Sequence, residues 1–323
     1  MFTANQMQNE INKYVAELPV LRHPEELYKP IEYILSLGGK RIRPLLMLMA
    51  YNLYKDDVQT VLAPAAGIEI FHNYTLLHDD LMDKADMRRG KKTVHKLWDD
   101  NTAILSGDAM FVLAYQYMAK SVKHQSKMWD IFNSTALEIC EGQQFDINFE
   151  KRNDVAEEEY LEMIRLKTAV LLAASMKMGA IQADASEKDA ELLYDFGINI
   201  GLAFQLKDDY LDIYGDPAIF GKNIGGDILA NKKTYLLIKA FQLANEKQKQ
   251  ELNQWIYQPT TNPEAKISAV ISIYNQLDVK TVCENSILGY YNVAMDIFER
   301  VSVDDDRKQE MKNLINDLMY REK

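Results

Sequence analysis

The stretch AAGIEIFHNYTLLHDDLMD, residues 65–83, decides how the chain is read. Its first part carries apolar residues three and four apart, the pattern of a helix with one buried face. Its end packs three aspartates, Asp79, Asp80 and Asp83, into five positions. Residues 204–212, FQLKDDYLD, repeat the arrangement with Asp208, Asp209 and Asp212. The chain already carries a formal charge of −11, so two such concentrations of like charge need a physical reason.

On a helix, Asp79 and Asp83 share a face one turn apart with Asp80 at its edge; Asp208, Asp212 and Asp209 repeat this. Extended backward, the faces read His72, Leu76, Asp79, Asp83 and Gly201, Gln205, Asp208, Asp212, both spaced four, three, four. The expectation is two helices presenting matching acidic ends to one another across a cavity. Carboxylates near a helix C-terminus repel each other and oppose the dipole. Divalent cations remove that conflict, and oxygen-only ligands suit Mg²⁺ completed by water and phosphate. The bland alternative is a solvated acidic face. With 26 aspartates in the chain, a chance D-D-x-x-D is expected about 0.2 times, so two after apolar helical runs favour metal sites.

Cations stand ready for anionic ligands. In GGKRIRP, 38–44, Lys40 and Arg43 are three apart and expected on one helical face. Arg88 and Arg89 follow the first aspartates in DMRRG, where guanidinium forks can grip phosphate. Lys167 and Thr168 interrupt an apolar helix, although a lone lysine there serves equally well by snorkelling. Lys222 lies in a glycine-rich loop expected over 214–227, and Lys232 in NKKTY.

The rest of the chain bounds the class. All eight prolines lie outside 65–216, an interval rich in helix formers, and no strand pattern or Asn-Gly hairpin signal stands out. Asp154 with Glu157 reads as a capping box, and Gly179 as the end of the helix that follows. Gly197 and Gly201 read as places where helices approach closely. One all-α domain over 1–323 is the simplest organisation. With 47% hydrophobic residues, a sizeable core is available. No signal peptide and no run of about 18 apolar residues is present, so no transmembrane segment is expected. Two cysteines without metal-ligand spacing suit a reducing cytoplasm, and the acidic balance argues against a nucleic-acid binder, though not against an anionic ligand.

Together, GGKRIRP, LLHDDLMD, RRG, SGDAMF, LKTAVL, FQLKDDYLD and GKNIGGDILANKKTY resemble the trans-isoprenyl diphosphate synthase family, in the family's order over almost the whole chain. The resemblance implies a single-domain helical bundle around a deep central cavity, a homodimer, and isoprenoid diphosphates as substrates. It implies three Mg²⁺ ions, with Asp79, Asp83 and Asp208 as direct ligands and Asp80, Asp209 and Asp212 acting through water or behind them. Lys40, Arg43, His72 and Arg89 match an isopentenyl diphosphate site. Arg88, Lys167, Thr168, Gln205, Lys222 and Lys232 match contacts to the allylic diphosphate. Without the resemblance, His72 reads as a satisfied histidine on a half-buried helix.

The same resemblance makes Tyr74, five residues before Asp79, a limit on product length, with Phe71 on the same side and the small Thr75 beside it. The expected product has twenty carbons, with fifteen as the runner-up; Tyr74 as an ordinary core aromatic is the bland reading. A class I terpene cyclase would carry a mixed Asn/Ser/Glu second metal motif rather than DDYLD. A non-catalytic partner subunit would have lost aspartates or basic contacts. A structural Ca²⁺ protein would need an EF-hand loop.

Overall fold

Apolar residues at three- and four-residue spacing become helices along the chain of this computed structural model, which describes residues 1–216, 224–259 and 261–319. In order these are α1 (Ala4–Ala16), α2 (Glu25–Ser36), α3 (Ile42–Asn52), α4 (Leu62–Met82), the single turn α5 (Val94–Leu97), α6 (Asp100–Met118), α7 (Gln125–Glu150) and α8 (Glu157–Ile164). Then come α9 (Val170–Gln182), α10 (Glu187–Tyr214), the single turn α11 (Gly226–Leu229), α12 (Tyr235–Leu243), α13 (Glu246–Tyr257), α14 (Pro263–Gln276), α15 (Val279–Glu299) and α16 (Asp305–Met319). A 3₁₀ turn, Val58–Val61, precedes α4. The fold is all-α; among the described residues the strands are one two-residue pair, β1 (Met87–Arg88) and β2 (Lys91–Lys92).

Two compact units divide the chain: Met1–Asn133, Ala174–Leu193 and Ser302–Met311 form one, and Ser134–Ala173, Tyr194–Val301 and Lys312–Lys323 the other. In the first, α3 is buried from Pro44 to Asn52 and α4 from Leu62 to Phe71 on nearly every side. Helices hydrophobic all round belong in a core. Gly67 lets α4 lie close to α6: a Cβ there would sit 3.0 Å from the Ala114 carbonyl oxygen. In the second unit, Gly201 on α10 faces Ala169, whose Cα would lie 2.5 Å from an added Cβ, and Gly197 meets Ala173 in the same way. The expectation that these two glycines allow close approach holds. Phe196 and Phe298 stack nearby at 4.7 Å between centroids.

Four sequence expectations change. Gly179 does not end a helix: α9 continues to Gln182, and the missing Cβ leaves room for the Met47 carbonyl oxygen. The cap of α8 begins at Ala156, whose N–H donates to Glu159 Oε2 at 2.9 Å, while Asp154 pairs with Arg152. Tyr214 still belongs to α10, and 226–229 form a helical turn, so the expected loop is shorter at both ends; 217–223, with Lys222, lie outside the described residues.

The fourth change concerns GGKRIRP. Lys40 and Arg43 do not share a helical face, because α3 begins only at Ile42. Gly38 and Gly39 take positive φ (73° and 132°), and Arg41 itself is left-handed at φ 44°. A left-handed non-glycine residue carries strain that persists only when its surroundings hold it in place. Arg41 is held there by bonds from Nη1 to the Asn12 carbonyl (3.1 Å) and Asn12 Oδ1 (3.0 Å).

Candidate active site

The first unit carries two sites of opposite sign along α4. Midway, Arg43 Nη1 donates to His72 Nε2 at 3.2 Å. A guanidinium cannot accept, so the His72 proton resides on Nδ1. Burial, then Arg43, Arg89 and Arg88, hold the His72 pKa well below the usual imidazole value. Burial likewise lowers Arg43 to about 10, opposed by Glu69. Arg43 Nε is buried without a hydrogen-bond partner. Arg89 reaches this place from the hairpin and donates to the Gly38 carbonyl. A Cβ on Gly39 would come within 2.7 Å of that guanidinium, so glycine is what clears its path. Lys40 is exposed on the segment between Gly39 and Arg41.

The hairpin gives the adjacent arginines separate tasks. Its two-residue turn is Arg89-Gly90, with φ 52° and 74°, the double positive φ of a type I′ turn. Sequence reasoning missed it because arginine stands where asparagine or aspartate usually marks such turns. Arg88, one residue earlier, turns to Asp80 instead and donates through Nε at 3.0 and 3.1 Å.

That pairing organises the first aspartate cluster. α4 ends at Met82, and the Asp83 N–H bonds back to the Asp79 carbonyl at 2.8 Å, so the cluster occupies the negative end of the dipole. Asp80 is buried and compensated by Arg88; Asp79 is half-buried and Asp83 exposed. Burial raises the Asp80 pKa and Arg88 opposes the rise.

Within the second unit the other cluster repeats the division. Asp208 is exposed, Asp209 buried and Asp212 half-buried. Both Asp209 oxygens are engaged: Gln205 Nε2 donates to Oδ1 at 3.1 Å, and the Tyr160 hydroxyl donates to Oδ2. Burial, reinforced by Asp227, pushes Asp209 up to about 7. Asp212 Oδ2 accepts the Asp227 N–H at 3.0 Å, and Lys232 lies 3.8 Å from Asp227.

Lys167 and Thr168 occupy an unexpected element, a π-helical turn over Arg165–Ala169 joining α8 to α9. Such wide turns recur at functional sites. Gly142 on α7 accommodates it, since an added Cβ would meet the Leu166 carbonyl carbon at 2.8 Å. One turn on, Asp146 accepts from Lys167 Nζ at 2.6 Å. Thr168 Oγ1 donates to Gln205 Oε1 at 3.0 Å. Gln205 is thus fixed at both ends, accepting from Thr168 and donating to Asp209. Asp146, Tyr160 and Glu69 escaped sequence reasoning because none belongs to a spaced motif; each matters only through a partner distant in sequence or brought close by the fold.

The expected length-determining residues sit in an aromatic cluster of the first unit. Phe71 is fully buried, with Phe132 at 5.2 Å and Phe111 at 6.2 Å between centroids. Tyr74 is half-buried, 5.5 Å from Phe71, 5.3 Å from Phe111 and 4.9 Å from His78. Thr75 Oγ1 donates to the His72 carbonyl at 2.8 Å.

Comparison with known proteins gives this arrangement its class. The polyprenyl synthetase family model matches residues 24–274. The chain is 44% identical over 230 residues to the short chain isoprenyl diphosphate synthase of Methanocaldococcus jannaschii, covering 71% of this chain and 70% of that one. It is 43% identical over 229 residues to the geranylgeranyl diphosphate synthase of Methanosarcina mazei, covering 70% of each. A crystal structure of a geranylgeranyl pyrophosphate synthase matches with a TM-score of 0.93 and 43% identity over 99% of both chains. The chain belongs to the polyprenyl synthetase family and is a prenyltransferase.

Because the folded pKa of His72 lies below its unfolded value near 6.5, the unfolded state binds more protons as pH falls below that value. His72 therefore contributes nothing against unfolding above about pH 7 and costs stability below 6.5, by up to about 1.4 kcal/mol per pH unit. His72→Gln keeps an acceptor for Arg43 and removes this dependence. Urea unfolding at pH 7 and 5.5 should find wild type losing more stability than the variant over that interval.

Proposed function

We propose that this chain condenses isopentenyl diphosphate with an allylic diphosphate (dimethylallyl, geranyl or farnesyl) and that its main product is geranylgeranyl diphosphate. The observation that carries the reading is the presence on α4 of a guanidinium-rich region around His72 and a carboxylate-rich end at Asp79–Asp83. Two diphosphates with different fates need such different chemistry. The one that keeps its diphosphate is held by arginine, and the one that loses it is neutralised where it leaves.

Lys40, Arg43, His72 and Arg89 hold isopentenyl diphosphate. The partnerless Nε of Arg43 supports this, since a buried donor without an acceptor is costly until an anion arrives. Neutral His72 offers its Nδ1 proton without adding a fourth positive charge. Asp79, Asp83 and Asp208 are the Mg²⁺ ligands, three ions with substrate bound, supported by Asp80, Asp209 and Asp212. Among the described residues no three His, Cys, Asp or Glu side chains converge on one point. That donor set suits Mg²⁺, which takes one or two carboxylates and fills its octahedron with water and phosphate oxygens. When bound, the metal supplies positive charge against the departing diphosphate.

Arg88, Lys167 and Lys232 grip the allylic diphosphate, with Lys222 as a further contact. Arg88 keeps Nη1 outside its bonds to Asp80, so it can bind phosphate without leaving that carboxylate. The Thr168–Gln205–Asp209 chain holds the Gln205 amide and Thr168 hydroxyl dipoles in place, where they stabilise positive charge at the allylic carbon as the carbon–oxygen bond breaks. Isopentenyl diphosphate, held alongside, gains from proximity. The proton released afterwards passes to the departed diphosphate.

The whole chain, 1–323, acts as one polyprenyl synthetase domain, as a homodimer in the cytoplasm. Among the described residues no helix is long and apolar enough to cross a membrane. The name of the Methanosarcina relative and the Tyr74–Phe71–Phe111 cluster support a twenty-carbon product.

Incubation of the protein with Mg²⁺, isopentenyl diphosphate and each allylic starter should yield geranylgeranyl diphosphate by chromatography. No elongation from any starter would overturn the reading, and hydrocarbon or alcohol formed without isopentenyl diphosphate would point to a cyclase. Tyr74→Ala should shift the product to twenty-five carbons or more. An unchanged length would place the limit elsewhere.

A further inference from the structure

Glu69 is 2% exposed in the middle of α4, one turn before His72, in a place where an ionised carboxylate is expensive. Asn73 Nδ2 donates to its Oε1 at 2.9 Å, and Arg41 Nε lies 3.9 Å from the same oxygen. Its Oε2 is buried with no hydrogen-bond partner, as are Asn73 Oδ1 and Arg43 Nε. Burial raises the Glu69 pKa, while Arg41, Arg43 and Arg89 all pull it down. Glu69 in turn favours the charged form of each of these arginines. One incompletely bonded carboxylate therefore serves three guanidinium groups, of which only Arg41 lies within ion-pair reach.

A purely structural ion pair would be bonded on both oxygens and matched one to one. This carboxylate instead balances a cluster with an excess of positive charge and with donors left over. We propose that Glu69 is an internal counter-ion of the diphosphate site, a positioning residue that holds the Arg41, Arg43 and Arg89 cluster together without ligand and competes with the ligand's charge for it. The proposal rests on the reading of Arg43, His72 and Arg89 as the isopentenyl diphosphate site. Protein stability and ligand affinity are thereby set against each other at one position. Removing the charge leaves three guanidinium groups repelling one another until an anion arrives, and makes the site more attractive to that anion.

The test is Glu69→Gln, which keeps the shape and an acceptor for Asn73, measured beside Glu69→Asp, which keeps the charge. Calorimetric titration with isopentenyl diphosphate in EDTA should give about tenfold tighter binding to E69Q, the size of one unit charge about 12 Å away at an effective dielectric constant near 20. E69D should stay within about twofold of wild type. Without ligand, E69Q should melt lower than wild type, and isopentenyl diphosphate should raise its melting temperature by more than it raises that of wild type. KM for isopentenyl diphosphate should fall while KM for the allylic substrate does not. If E69Q does not fold alone, refolding in inorganic diphosphate but not in sodium chloride of equal ionic strength bears the proposal out. Equal or weaker binding with an equal melting shift, or no refolding in either salt, overturns it. Wild type and Arg43→Met taking up isopentenyl diphosphate equally well would instead remove the underlying site assignment, and the proposal with it.

Discussion

Unbalanced charge on one helix is the constraint on which the site depends. α4 is apolar enough to be buried through its first half, yet it carries Glu69 and His72 among arginines and ends in three aspartates. His72 and Asp79 are seven residues apart, about 10 Å along the axis. A helix of this kind keeps an anion-seeking region and a cation-seeking region at a fixed spacing without any added element. Neighbouring segments complete each region: the strained GGKR turn below His72, and the hairpin that sends Arg89 to that turn and Arg88 to Asp80.

The two aspartate motifs share a division of labour that their sequence symmetry does not reveal. In each, the second aspartate is buried and bonded by the protein, Asp80 by Arg88 and Asp209 by Gln205 and Tyr160. The exposed members, Asp83 and Asp208, are the ones turned to solvent. Burying the middle carboxylate with matched donors fixes the motif on its helix, because an unpaired buried charge would be too costly to keep. On the proposed function, this leaves the outer carboxylates to exchange water for metal without disturbing the fold.

Much of this was legible in the chain. Helical periodicity, the paired D-D-x-x-D runs, the close-packing Gly197 and Gly201 and the arginines all follow from residue type and spacing. What escaped depends either on backbone conformations that local propensity does not encode or on partners distant in sequence. Arg41 and Arg89 adopt positive φ where glycine or asparagine would be expected, so Lys40 falls off the helix and a two-residue hairpin goes unseen. The π turn at Lys167 is accommodated by Gly142, twenty-five positions earlier, where a side chain would collide with it. Gly179 looked like a terminator because its reason for being glycine, the Met47 carbonyl, lies far away in sequence. Glu69 and Tyr160 matter through partners that only the fold supplies.

On the proposed function, one diphosphate is held by guanidinium groups and the other through metal. Calorimetric titration of isopentenyl diphosphate and of a non-ionising thio-analogue of dimethylallyl diphosphate, each with EDTA and with Mg²⁺, tests it most directly. Isopentenyl diphosphate should bind once per chain in EDTA, whereas the allylic analogue should bind only when Mg²⁺ is present. Loss of isopentenyl diphosphate binding in EDTA, or metal-independent binding of the allylic analogue with equal affinity, would contradict it.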